Sequence, residues 1–247
     1  MTDSNPSSID FPSPPLQAFP ISAVDVIVEE GPHSLWEAHR ADIEAQWALE
    51  KQANHHLFDG PILLQETITQ RDDRLLTTAR MTRFSTLLWW RRQQDRAKIR
   101  LLFGAAIPVS TDGSAILIRM AAHTANAGRI CFAAGSLDPS DVVDGYCDVM
   151  GSMNRELREE TGLDVSKARG LGQLSAAYSN GRCIVFRAVY LPWSDAEILD
   201  RVTVHMNNET LSEIDAVYAV KSDSWSSLAN SMDDLTRVAV QSVFSGR

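Results

Sequence analysis

The stretch from Asp148 to Gly162, DVMGSMNRELREETG, constrains the fold most, because as a helix it has two unlike faces to satisfy. With Glu156 at zero and about 100° per residue, Glu160 falls at about 40° and Glu159 at about 300°. Three carboxylates therefore share one sector. Met150, Met153 and Leu157 cluster between about 60° and 120°, an apolar stripe that must face a core. Gly162 suits a left-handed C-terminal cap.

Such a helix works against itself. Like charges at i and i+4 repel by a few tenths of a kcal/mol. Acidic side chains near a helix C-terminus also oppose the macrodipole, at a cost of roughly 0.3–1 kcal/mol each. A cation offsets both terms, and hard carboxylate oxygens select Mg²⁺ or Mn²⁺. Arg155 and Arg158 offer a second source of compensation, and on spacing alone a solvated acidic face is the alternative reading. The net charge of −9 would repel nucleic acid, so DNA is not an expected partner. A phosphate-rich small molecule would be repelled too, unless a metal or a local basic patch receives it.

Around this helix the chain alternates short strands and helices without strict βα order, which predicts an α/β (α+β) layered fold. Residues 1–20 begin MTDSNPSSIDFPSPP and read as a flexible arm. Residues 21–103 form an N-terminal extension packed on the core. It holds a strand at 23–28, a helix with a Ser34/Glu37 capping box, a hairpin over 62–68 and 75–84, and a helix over 84–96. Residues 104–247 form the main domain. Strands are expected at 105–109 and 115–120, around Thr111-Asp112-Gly113, and at 130–133. A hairpin turns at Ser179-Asn180-Gly181, helices cover 194–202 and 232–244, and a strand covers 215–220.

Three cysteines without paired spacing argue against a disulfide framework and a zinc knuckle, and fit a reducing, cytoplasmic setting. No apolar run reaches the roughly 20 residues of a membrane helix, and the N-terminus lacks the features of a signal peptide. His55-His56 is a tempting metal pair, but adjacent residues rarely converge on one ion. Trp89-Trp90 before Arg91-Arg92 offers either a base-stacking platform or, at Trp90, helix core. The aromatic content of residues 84–90 permits a homodimer interface.

Arg155, Glu156, Leu157, Glu159, Glu160, Gly162 and Leu163 fill the seven specified positions of the second half of the Nudix box, R-E-U-x-E-E-x-G-U with U aliphatic. The chain thus resembles a Nudix hydrolase over about residues 104–220. The first half departs from the pattern. The sites 14 and 8 positions before Arg155, glycine and glutamate in the family, are Asp141 and Cys147. The nearest box-like glycine is Gly135, which implies a loop about six residues longer than usual. Asp148 can stand in for the glutamate as a partner of Arg155 or a metal ligand, with Asp144 a weaker choice.

The resemblance implies an α/β/α sandwich with a mixed sheet, here with an N-terminal α/β extension. It implies a Mg²⁺- or Mn²⁺-dependent enzyme in which water attacks phosphorus in a nucleoside diphosphate linked to a moiety X, a small-molecule nucleotide substrate. Glu156, Glu159 and Glu160 would be metal ligands, and Arg155 would orient Glu156. Glu209 or Glu213 would act as base, with Glu213 slightly preferred. Arg119, His123, Asn126 and Arg129 precede the box near a strand end and would contact phosphate or X. Leu57-Phe58-Asp59-Gly60-Pro61 resembles the extension of Nudix enzymes that cleave UDP-sugars, which favours a nucleotide sugar. The alternative is a Nudix-fold binding or regulatory module, which would have no reason to retain all three glutamates.

Overall fold

The computed structural model describes residues 16–96 and 98–245. The N-terminal part contains β1 (Phe19–Pro20), β2 (Ala23–Pro32), α1 (Ser34–Ala53), β3 (Pro61–Arg71), β4 (Arg74–Arg83) and α2 (Phe84–Arg91). Next come β5 (Leu101–Val109), β6 (Ala115–Met120), β7 (Ile130–Cys131), β8 (Val142–Val143), β9 (Tyr146–Cys147) and α3 (Val149–Thr161). The chain continues through β10 (Gly170–Leu171), β11 (Ser175–Ser179), β12 (Arg182–Tyr190), α4 (Asp195–Asn208), β13 (Ile214–Val220) and α5 (Asp234–Ser245).

These strands build two mixed sheets. The larger runs β1-β11-β12-β5-β6-β13, with β10 on β12 and β7 on β6, and its β12–β5 pair is parallel. The smaller runs β3-β4-β2-β9-β8, with β2 and β4 parallel. The fold is therefore mixed α+β, as the irregular order of strands and helices implied.

Alternation along β5 creates the layers. Leu102 and Ala106 point into a core shared with Met153 and Leu157 of α3 and with Ile198 and Val202 of α4. Ala105 and Ile107 point to the opposite face, against Leu235, Ala239, Val240 and Val243 of α5. Helices thus cover both faces of the larger sheet.

The smaller sheet is tied in by both packing and polar contacts. Val26, Leu63 and Leu75 join the α3-side core. Leu63 N–H donates to Leu137 O at 2.8 Å, and Leu102 N–H donates to Gln65 Oε1 at 2.7 Å. Arg100 donates to Glu66 Oε2 at 2.9 Å. Leu87 and Trp90 of α2 pack with Ile62, Leu64 and Leu101, which places Trp90 in a core, while Trp89 stacks on His39 at 4.5 Å.

Several local readings change. The first helix is capped by His33, not Ser34: the His33 ring accepts from Leu35 N–H at 3.0 Å, and the Ser34 hydroxyl donates to Glu66 instead. The expected helix over 84–96 stops at Arg91. The expected arm over 1–20 ends sooner, since Leu16 N–H donates to Tyr178 O and Phe19–Pro20 pairs with β11. Residues 1–15 lie outside the described residues. The Ser179-Asn180-Gly181 turn has φ +49° at Asn180 and +71° at Gly181, as a two-residue hairpin requires.

Candidate active site

Helix α3 begins where the Asp148 carboxylate accepts from Gly151 N–H at 2.9 Å, and it ends at Gly162 with φ +71°. Its two faces separate as the wheel implied. Met153 and Leu157 are fully buried, each worth roughly 1.5–3 kcal/mol of apolar transfer. On the other face Glu160 is buried, Glu156 is mostly covered and Glu159 is 54% exposed.

Arg155 is the hub of this face. Its Nη1 lies 2.8 Å from Glu156 Oε1 and 3.0 Å from Glu159 Oε2. Its Nη2 lies 3.1 Å from Asp141 Oδ1 and 3.6 Å from Asp138 Oδ2. Asp138 and Asp141 form a capping box around the one-turn helix at Pro139–Asp141, and this turn fixes the lengthened loop against Arg155. Asp141 was not singled out from the sequence, because its partner lies a loop and a helix away. Asp148, by contrast, is engaged in capping and does not meet Arg155 among the contacts described, so its suggested pairing is replaced by that of Asp141.

One guanidinium faces four carboxylates, so the cluster carries excess negative charge. Burial pushes the Glu156 carboxyl up to about 7 against the pull of Arg155, with Glu159 and Glu213 pushing it further. Burial also drives Glu160 well above the usual carboxylate range, aided by the charges of Glu156 and Glu213. The Ala134 backbone opposes that rise, and Glu160 Oε2 is buried without a hydrogen-bond partner.

Gly135 closes the loop over these groups. A Cβ there would sit 2.3 Å from Glu156 Oε1, so only glycine lets the backbone approach the carboxylate this closely.

Among the described residues, no three His, Cys, Asp or Glu side chains stand arranged to hold a metal ion. Arg155 instead holds Glu156 and Glu159 to itself. The donor chemistry nonetheless fits a hard divalent ion. Every candidate group is a carboxylate, their like charges raise one another, and the buried Glu160 Oε2 has no hydrogen-bond partner. Glu156, Glu159, Glu160 and Glu213 are the residues that could hold it.

A cleft of about 690 Å³ runs beside this helix. Glu160, Glu213, Gly135 and Ser136 line it, as do Phe84, Phe103 and Phe132. His123, Asn126 and Arg129 also line it. Arg119 does not: Met120 faces the cleft, so its neighbour on β6 faces away and pairs with Asp215 at 2.6 Å. Glu209 also lies apart, capping the end of α4 with its carboxylate 3.4 Å from His205. His56 enters the cleft without His55, its ring edge-on to His123 at 5.5 Å. Arg91, Arg96, Arg182 and Asp233 line it as well. The three arginines come from α2, its following loop and the start of β12. Sequence separation hid their convergence.

No family model matches the chain, and no curated protein matches it. Among solved structures, it is similar to the MutT protein from Methanosarcina mazei Go1, with 16% identity over 59% of this chain and 90% of that one, at a TM-score of 0.37. It is similar to the NUDIX domain of Shewanella oneidensis NrtR complexed with ADP ribose, with 11% identity over 64% and 94%, at 0.40. A NUDIX hydrolase from Nitrosomonas europaea gives 16% identity over 60% and 90%, at 0.39.

Proposed function

We propose that this chain is a Mg²⁺- or Mn²⁺-dependent pyrophosphohydrolase of the Nudix type, acting on a nucleoside diphosphate linked to a second group X. The observation that carries the reading is Glu160. It is a buried carboxylate with an unpartnered oxygen, set on the wall of a ligand-sized cleft among Glu156, Glu159 and Glu213. A packed core gains nothing from such a group. A site that receives a cation does.

When bound, the ion supplies neutralisation of the phosphate oxygens and a more acidic water. The chain's own residues do the rest. Arg155 holds Glu156 in place by a charge-assisted hydrogen bond, with Asp141 and Asp138 fixing the guanidinium from behind. Gly135 keeps the loop close to Glu156. Glu213 stands on the cleft wall and is the base we favour; Glu209, which caps α4 and does not line the cleft, is the alternative. Arg129, His123 and Asn126 face the ligand. A nucleotide sugar is the favoured substrate, on the likeness of residues 57–61. Among the described residues no helix is long and apolar enough to cross a membrane, and all three cysteines are free thiols, which supports a cytoplasmic setting.

The test is turnover by purified protein with Mg²⁺ or Mn²⁺ on a panel of UDP-sugars, ADP-ribose, NADH, CoA and nucleoside triphosphates. Hydrolysis of at least one, lost in Glu159→Gln, supports the reading. Absence of turnover on all of them, with Glu159→Gln indistinguishable from wild type in metal binding, favours a binding module instead.

A further inference from the structure

Four guanidinium groups, from Arg91, Arg96, Arg129 and Arg182, converge on the cleft of a protein whose net charge is −9. Only Arg182 is matched, with Nη1 2.5 Å from Asp233 and Nη2 2.5 Å from Asp234. Among the described residues, Arg91, Arg96 and Arg129 make no ion pair, and Arg96 Nε is buried with no hydrogen-bond partner. Arg91 donates only to the side-chain oxygen of Asn126, at 3.3 Å, and Arg96 to the Arg91 carbonyl, at 3.3 Å. The charge of Asp233 favours the Arg91 cation, but Asp233 is already committed to Arg182.

Glu160 and Glu213 share the cleft but, among the described residues, pair with none of these arginines, and grouped cations of which only one has an ion-pair partner are unfavourable unless an anion joins them. Burial and the charges of Arg182 and Arg129 pull the Arg91 guanidinium down to about 10, which expresses that strain. A carboxylate offers two oxygens and one charge. A phosphate offers more of both, and guanidinium forks match it bidentately.

We propose that the N-terminal extension completes a metal-independent phosphate-binding subsite in this cleft, with Arg91 and Arg96 from the extension and Arg129 and Arg182 from the core taking phosphate oxygens of the ligand. The proposal deepens the hydrolase reading by making the extension part of the substrate site, and it stands on binding alone. The phosphate can be the diphosphate bridge or a separate phosphate group of the ligand.

The experiment titrates the full-length protein with inorganic pyrophosphate and with orthophosphate by calorimetry, in EDTA so that no divalent ion contributes. Wild type should bind at least one of them saturably. Arg129→Ala and Arg91→Gln should each weaken binding about tenfold, the loss of one charge-assisted contact, and Arg91→Lys should be intermediate. Arg119→Ala removes the same charge outside the cleft and should bind as wild type. Thermal melts confirm that the variants are folded, and the exposed Arg129 gives a test even if Arg91 variants fail to fold. Pyrophosphate binding much tighter than orthophosphate would assign the subsite to the diphosphate bridge, and equal binding to a separate phosphate; both support it. The proposal is overturned if wild type binds neither anion, if folded Arg129→Ala binds as wild type, or if Arg119→Ala weakens binding as much. Absent turnover in the substrate panel would leave these binding results standing.

Discussion

Replacing Gly135 by alanine should separate activity from stability. An alanine Cβ would lie 2.3, 2.4 and 2.5 Å from Oε1, Cδ and Oε2 of Glu156, where ordinary contact begins at 3.4 Å. The carboxylate must therefore retreat by about 1 Å, the scale of misplacement that costs about 10²-fold in rate. That corresponds to about 2.7 kcal/mol in the barrier. The effect on folding should be smaller. Gly135 does not have a left-handed φ, so alanine meets no backbone strain there. The obstructing atoms are the end of a movable side chain, which puts overpacking at the low end of about 1–3 kcal/mol. The stiffer unfolded chain returns about 0.4–1 kcal/mol. Turnover on the best panel substrate with Mn²⁺, measured alongside a thermal melt, should show about a hundredfold loss of kcat with a small change in Tm. In Glu156→Gln the added alanine should cost little further, because both changes act on one group. Full activity in Gly135→Ala, or a loss explained wholly by unfolding, would refute the reasoning.

Three further outcomes follow from the same geometry. Arg155→Met should destabilise the fold by about 3 kcal/mol in urea titrations, because it strands the buried Asp141 and Glu156 carboxylates; a loss below about 1 kcal/mol would contradict the hub role. Glu160→Gln should raise Tm in metal-free buffer while abolishing turnover, since it removes a buried carboxyl whose ionisation burial opposes; a lowered Tm would argue against that. Burial holds the His33 ring neutral and below its ordinary value of 6.5, outweighing the charge of Glu66. Its contribution to stability is therefore present above pH 6.5 and lost as pH falls below it. Glu156 and Glu160, with raised values, act in the opposite sense, so the test is the difference between wild type and the cap-preserving His33→Asn variant. That difference should shrink as pH falls below 6.5 and would contradict the account by growing.

The chemistry-bearing helix was legible because its information is local. Periodicity placed Met153 and Leu157 in the core, and Gly162 marked its end. The hairpin at Asn180-Gly181 was legible for the same reason, since both residues favour positive φ. What failed depended on partners distant in the chain. Ser34 looked like a cap until Glu66 claimed its hydroxyl. Arg119 sits one residue from Met120, and period-two alternation cannot say which face meets a cleft until the sheet is assembled. Asp148 was considered for the metal shell, yet its place just before an apolar-striped helix is also an N-cap signature. Arg129 was singled out, but its convergence with Arg91, Arg96 and Arg182 was out of reach, because α2 and its following loop, the loop before β7 and the start of β12 meet only through tertiary packing.

The central claim is that the face of α3 built on Glu156, Glu159 and Glu160 receives a divalent cation. Calorimetric titration of metal-free protein with Mn²⁺, in wild type and in Glu160→Gln, tests it most directly. The account predicts saturable binding at one or more sites in wild type, abolished or severely weakened in the variant while its fold persists. Equal Mn²⁺ binding by the two proteins, or none by wild type, would contradict it.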